Sequence, residues 1–318
     1  MKTIATWWCA VGLVAAAPLA YAQEWPTRPV RIVVGFSPGS ATDFTARTIG
    51  PKLSEIWKHP VVYENRSGAG GSLAFAMVAK ATPDGHTLAL ISSSLVATTI
   101  ISSASYDAIK DFTHVAQVGY STSVVTTSAS LNIRSLKELI AAAQAGGGKF
   151  LYGTTGAGSG THMANVRFNM SANIKPQHVA FKGQGELLVE IVTGRVHFGI
   201  PGLGPAMGMI KEGKLVPLAV VTPNRSPQLP DVPTVNEILP HFERDATHGL
   251  VAPAGIPRAV AEKISRDLAR VLELSDVRKT FDAISFTPAH IPPDEYHKMI
   301  VRLQANYERV AREAGLKR

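Results

Sequence analysis

At 318 residues, 45 % hydrophobic and 18 % charged, the chain carries enough apolar material for two packed domains and too little charge for a disordered one. Its formal net charge is +8, but the basic residues stand singly, as at Lys52, Lys58, Arg66 and Lys80. The basic stripe with interleaved aromatics that marks nucleic-acid binding is absent, which leaves a mild positive field favouring small anions.

The first segment is "MKTIATWWCAVGLVAAAPLAYA": Lys2, an apolar stretch, then Ala20-Tyr21-Ala22. This order predicts a secretory signal peptide over 1–22, cleaved after Ala22, and hence a periplasmic protein. No later run is long and apolar enough to span a bilayer. Cys9, the single cysteine, lies inside this segment. Thr6-Trp7-Trp8 before it does not make a lipidation site, and the mature chain has no thiol for disulfides, nucleophilic catalysis or zinc.

Further along, Val- and Ile-rich runs predict strands: "VRIVVGF", "PVVYE", "HTLALIS", "SVVTTS", "KFLYGTT", "HVAF", "VHFGI" and "VPLAVV". Helical stretches fall between many of them: "ATDFTARTIGPKLSEIW", "SLKELIAAAQAG", "THMANVRFNMSAN" and "GELLVEIVTG". Ser135 is expected to cap the second of these helices and Gly146 to close it, with Gly194 closing the fourth. The chain ends in "PPDEYHKMIVRLQANYERVAREAGL", which reads as a long surface helix opened by proline and closed by glycine. Alternating strand and helix predicts an α/β fold with mostly parallel sheets. Segments near 114–123 and near 247–255 read as crossings between domains. One lobe is then discontinuous, 23–120 with 249–318, and the other is 121–248.

"GFSPGSATDF" matches G-x-S-x-G, the nucleophile elbow of serine hydrolases, with Ser37 as nucleophile. The residue after that serine must give its backbone N–H to the oxyanion hole, a donor worth roughly 3 kcal/mol. Here it is Pro38, which has none. "GTTGAGSGT" lacks the last glycine of a dinucleotide loop, since Thr161 stands there, and Gly213-Lys214 lacks the hydroxyl residue of a P-loop. The pairs His241/His248 and His290/His297 are too far apart for local metal ligation and read as surface or satisfied polar groups. Neither a metal nor a cofactor is expected.

One pattern survives. Glycine, serine and threonine cluster where strands end and helices begin: "SPGSATD", "ISSSL", "TTGAGSGTH", "FKGQGE" and "IPGLGP". In an open α/β sheet such loops lie at the carboxyl edge, where ligands bind. Glycine admits close backbone approach, and the free N–H groups and dipole of a helix start suit a carboxylate. The alternative reading is that these loops are only turns.

These residues resemble the Bug/TctC family, the periplasmic solute-binding proteins of tripartite tricarboxylate transporters. The likeness runs over essentially the whole mature chain, through "WPTRPVRIVVGFSPGSATDFTAR", "VVYENRSGAGGSLA", "ATPDGHTL", "YGTTGAGSGTHMA", "VAFKGQGELL" and "KEGKLVPLAVVTPNRSPQLPDVPTVNE". The resemblance implies a two-lobed Venus flytrap, each lobe a mixed sheet flanked by helices, with a carboxylate in the cleft held by backbone N–H groups and bridging waters. It implies no enzymatic activity, a monomer, an organic-acid ligand, and delivery to the membrane subunits of a tripartite tricarboxylate transporter. Carried over by position, the first-lobe contacts are Phe36, Ser37, Gly39, Ser40, Ala41, Thr42 and Asp43, then Ser92, Ser93 and Ser94. The second lobe would supply Thr155, Gly158, Ser159, Thr161 and His162, then Phe181, Lys182 and Gly183, then Pro201 and Gly202.

Departures from the family pattern narrow the ligand. Ser40 and Ala41 replace glycines, and Phe181 replaces a tyrosine. Pro201 stands where the family's amino-acid binders place an aspartate, so an ammonium group would lack its partner. The expected ligand is an organic carboxylate other than an amino acid, aromatic or dicarboxylic, with Phe36 and Phe181 facing its body or else lying in the core. The competing readings are a hydrolase using Ser37 and a ligand sensor serving a signalling receptor. N-terminal sequencing of the exported protein should begin at Gln23; an intact Met1 or a lipid on Cys9 would refute the signal-peptide reading.

Overall fold

The computed structural model describes residues 25–102, 104–222, 224–240, 242 and 247–316. The signal peptide expected over 1–22 and His241 lie outside them. In chain order the first elements are β1 (Val30–Val34), α1 (Ala41–Trp57), β2 (Val61–Asn65), α2 (Ser72–Ala79), β3 (Thr87–Ser92), α3 (Ser94–Ile101) and β4 (Phe112–Ser121). Then follow β5 (Val124–Ser128), α4 (Leu136–Gly146), β6 (Leu151–Thr154), α5 (Gly160–Ser171), β7 (Gln177–Ala180), α6 (Gln184–Val192), β8 (Phe198–Gly199), α7 (Leu203–Lys211) and β9 (Leu215–Val220). The last are β10 (His248–Pro253), α8 (Arg258–Glu273), α9 (Ser275–Ala283), β11 (Phe286–Ile291) and α10 (Pro293–Glu313).

Two sheets result, and the molecule is two-lobed. One has the order β11-β4-β10-β3-β1-β2 and the other β7-β6-β8-β5-β9. The chain passes from the first sheet to the second between Ser121 and Val124, and it is back in the first at His248. Both sheets are mixed. The expectation of mostly parallel pairing is corrected: β1 pairs in parallel with β2 and β3, and β6 with β7 and β8, but β10, β4, β11, β5 and β9 all pair antiparallel. The reason is the crossing itself, since β10 re-enters the first sheet from the opposite side. β4 and β10, read from sequence only as crossings, are also full strands. β11 carries Pro288, and its position at the sheet edge is where proline is tolerated.

Strands buried on both faces explain the continuous apolar runs. Ile32 and Val34 of β1 pack on Ile49 and Leu53 of α1 and on Ile264 and Leu268 of α8. Val33 points to the other face, into a cluster with Phe75, Val96, Tyr296 and Ile300. That cluster also contains Met163 and Val166 of α5, a helix that follows β6 of the other sheet. Thus the lobes share an apolar seam along α5, α3 and α10.

Helix ends follow the expected chemistry with one shift. Ser135 caps α4 by accepting from the Glu138 amide. Gly146 is still helical, and the turn-out falls on Gly147 at φ 52°. Gly194 follows α6 as expected, its amide bonded to the Ile191 carbonyl. Among the described residues no helix is long and apolar enough to cross a membrane.

Gly249 in β10 is the tightest packed point of the first sheet's centre. A side chain there would collide with the phenol oxygen of Tyr296, a fully buried ring. Gly249→Ala should cost roughly 1–3 kcal/mol by overpacking, read as a lowered urea midpoint; an unchanged midpoint would show that α10 can yield.

Candidate functional site

The five glycine-, serine- and threonine-rich loops leave the sheets at their carboxyl edges, and they lead into helices α1, α3, α5, α6 and α7. In the six-stranded lobe, Ser40 caps α1, its hydroxyl accepting from the Asp43 amide and lying 3.2 Å from Thr42 Oγ1. Ala41 opens the helix, and Thr42 is buried beneath it. Gly39 donates its amide to Asp43 Oδ2 at 2.9 Å. Asp43 also accepts from Arg47 Nε and from Asn65 Nδ2 at 2.9 Å, and the same Asn65 nitrogen donates to the Phe36 carbonyl. Burial opposes ionisation of Asp43, but these donors outweigh it and hold the carboxyl below the usual range. Its acceptor capacity is spent on its own loop, α1 and the end of β2.

Ser37 is exposed, its hydroxyl 3.3 Å from Ser67 Oγ. No histidine or carboxylate is bonded to it among the described residues, so the hydrolase arrangement is not assembled. Phe36 is half-buried, its ring edge beside Gly71. In the next loop Ser92 Oγ accepts from the Ser94 amide and lies 2.9 Å from Ser94 Oγ, while Ser93 is buried at the start of α3.

In the five-stranded lobe, Ser159 caps α5 by accepting from the His162 amide. Thr161 Oγ1 is a hub: it accepts from the Thr155 amide and lies 2.9 Å from both Thr155 Oγ1 and Ser159 Oγ. The Gly158 amide donates to His162 Nδ1 at 3.1 Å. His162 stacks on His178 at 4.1 Å, and His178 stacks in turn on Tyr152. His178 Nε2 is 2.6 Å from Thr154 Oγ1, whose hydroxyl also meets the Gly156 amide. Two imidazoles thus brace the turn from behind. His178 was not legible from sequence, because no local spacing links it to the turn. Phe181 packs over Gly153 and joins the Leu187–Val196 cluster of its own lobe. Lys182 is exposed, its amide donating to Glu186 Oε2. Gly183 precedes α6, Pro201 is buried with its carbonyl accepting from Val124, and the Gly202 amide donates to Gln184 Oε1.

These two sets of loops face one another. A Cβ placed on Gly160, the first residue of α5, would lie 3.3 Å from Ser93 Oγ of the opposite lobe. One on Gly158 would lie 3.4 Å from Ser102 Oγ, and one on Gly70 would lie 3.7 Å from the Ala157 carbonyl oxygen. Backbone of one lobe here runs in contact with the other, and Gly158 at φ 74° and Gly70 at φ 67° take the left-handed conformation that glycine adopts without strain. The Gly70–Gly71 turn, unmarked as a site in the sequence, links the Phe36 loop to α3 in the same way, with Gly35 and Gly71 in close approach. Because the first amides of a helix have no acceptor within it, the starts of α3 and α5 present donors and positive dipole ends side by side. Such a place attracts an anion without a cationic side chain.

Comparison with known proteins agrees with this arrangement. The profile of the tripartite tricarboxylate transporter family receptors matches residues 45–316. BugT of Bordetella pertussis is 31 % identical over 306 residues, covering 95 % of this chain and 94 % of that protein. A structure of an R. palustris protein with adipate superposes with a TM-score of 0.84 at 30 % identity, covering 92 % of this chain and 99 % of the other. MatC from Rhodopseudomonas palustris with bound malate gives 0.81 at 29 %, covering 90 % and 99 %.

The braced turn makes stability depend on pH. Burial pushes His114, His162 and His248 down to about 4 from the ordinary 6.5, helped by the His297 charge at His114 and the His178 charge at His162. The unfolded chain takes up protons from about pH 6.5, the folded one only near pH 4, so this stabilisation is complete above about 6.5 and falls as pH drops towards 4. Unfolding free energies from urea titration should fall over that window, by about 1.4 kcal/mol per pH unit for each such histidine, and His162→Asn should flatten the slope by one proton. A free energy flat between about pH 7 and about pH 4.5 would contradict neutral burial. On its profile match and its long, full-length relatives, the chain belongs to the tripartite tricarboxylate transporter receptor family, the TctC/Bug solute-binding proteins.

Proposed function

We infer that the protein captures a small organic carboxylate between its lobes in the periplasm, as a monomer, and presents it to the membrane subunits of a tripartite tricarboxylate transporter. The lobes of this reading are 23–120 with 249–318, and 121–248. The observation that carries it is the meeting of the α3 and α5 starts across the cleft at Ser93 and Gly160. The adipate and malate held by the two R. palustris relatives fit the same chemistry.

Within this reading, Ser93, Ser94, Gly160 and Thr161 present the carboxylate donors, and the Gly156–Ser159 turn closes over it. Asp43 acts through its loop, since its oxygens already serve Gly39, Arg47 and Asn65. An amino acid is disfavoured: Pro201 offers no charge, Asp43 is spent, and a buried ammonium without a partner is heavily penalised. Phe36 supplies an apolar wall beside Gly71, which suits an aliphatic or aromatic body. Ligand capture would draw the two lobes together by binding the closed form better than the open one.

Calorimetric titration with adipate, malate, benzoate, terephthalate, aspartate and glutamate tests the reading. A non-amino acid should bind, its methyl ester should bind poorly, and Thr161→Val or Ser93→Ala should weaken the best acid by about tenfold or more. An ester that binds as tightly as its acid would overturn the carboxylate anchor, and tight binding of aspartate or glutamate would overturn the exclusion of amino acids.

A further inference from the structure

We propose that His248 makes the cleft selective for carboxylates that also carry a hydroxyl group. This rests on the carboxylate reading above. His248 opens β10 and stands in register with Ser92 of β3 on one side and Gly119 of β4 on the other. It therefore sits at the sheet edge from which the Phe36 and Ser92–Ser94 loops depart. Its ring is held on Thr45, in the turn after Ala41 and Thr42, and against Phe286 at 5.3 Å.

The proton inventory fixes what the ring offers. Thr45 has one hydroxyl proton and donates it to the Ala41 carbonyl at 2.7 Å. Thr45 Oγ1 can then only accept from His248 Nδ1, 3.2 Å away, so Nδ1 carries the ring's proton. The ring is neutral because it is buried, and no charged group contributes to holding a second proton on it. Nε2 is left as a bare acceptor. Among the described residues it has no hydrogen-bond partner, and the residue keeps 7 % of its surface open.

This is the reverse of the polarity around it. The helix starts present N–H donors, and the hydroxyls of Ser93, Ser94 and Thr161 can turn to donate. A carboxylate satisfied by them brings only acceptor oxygens, which a bare imidazole nitrogen repels. A ligand hydroxyl can donate to Nε2 while its carboxylate takes the amides. A plain acid leaves Nε2 without a donor, and that asymmetry is the basis of discrimination.

The test uses matched pairs differing by one hydroxyl: malate and succinate, lactate and propionate, mandelate and phenylacetate. Calorimetry on the whole mature protein should show the hydroxylated member of a binding pair favoured by about tenfold. His248→Phe, which keeps a ring against Phe286, should erase the preference, and His248→Gln, which keeps an acceptor oxygen, should restore part of it. Nitrogen-15 spectra of histidine-labelled protein provide a readout that needs no ligand and no variant to fold: Nδ1 should be protonated and Nε2 bare at neutral pH. A protonated Nε2 overturns the inference. Equal binding of both members of the pairs overturns it while leaving the carboxylate reading intact, as does a preference retained in His248→Phe. Failure of all six acids to bind overturns the cleft reading and this inference with it.

Discussion

Every helix begins with amides that have no acceptor of their own, and this protein is organised by where it gathers them. Parallel β1, β3, β6 and β7 each feed the next helix from the same end of their sheet, so α1, α3, α5 and α6 start at sheet edges. Packing α5 against α3 and α10 then brings two of these edges face to face. The seam is apolar, with Met163 and Val166 buried beside Tyr296 and Ile300. Nonpolar packing sets the distance, and uncharged donors occupy the gap that it defines.

Keeping those donors aimed requires groups behind them. In one lobe an ionised carboxylate does this. Asp43 binds the Gly39 amide and is itself held by Arg47 and Asn65, so the charge is neutralised by Arg47. In the other lobe the work falls to neutral groups: Thr161 ties Thr155 to Ser159, and the His162–His178 stack supports Gly158 and Thr154. An imidazole that must accept an amide proton at Nδ1 cannot be charged there, which is why burial and function agree on a neutral ring. A free charge of either sign near the cleft would bias it toward one ionic ligand class; these devices avoid one.

Some of this was legible in the sequence. Val- and Ile-rich runs marked β1 and β3 because strands covered on both faces carry apolar side chains on both. Ser135 announced a helix start because a capping hydroxyl serves the amide three residues on, a purely local bond that Ser40 and Ser159 also make in the structure. The glycine-rich loops pointed to an anion for the same local reason. β11 escaped notice because Pro288 breaks the strand signal, and only its place at the sheet edge makes it tolerable.

What a chain can state about itself is what depends on neighbours in sequence: apolar period, caps, turns and the missing donor at Pro38. What it cannot state is which distant atoms share a proton. That Asp43 spends its oxygens on Asn65, that Phe181 lies down on Gly153, that His178 supports His162, and that Thr45 meets His248 across 203 positions are all products of packing. The sequence alone determined the kind of edge on which a ligand could sit, because helix starts are local. Tertiary structure decided which edges meet and which polar atoms remain free there, because hydrogen-bond partners are allotted only once the sheets and helices have come together.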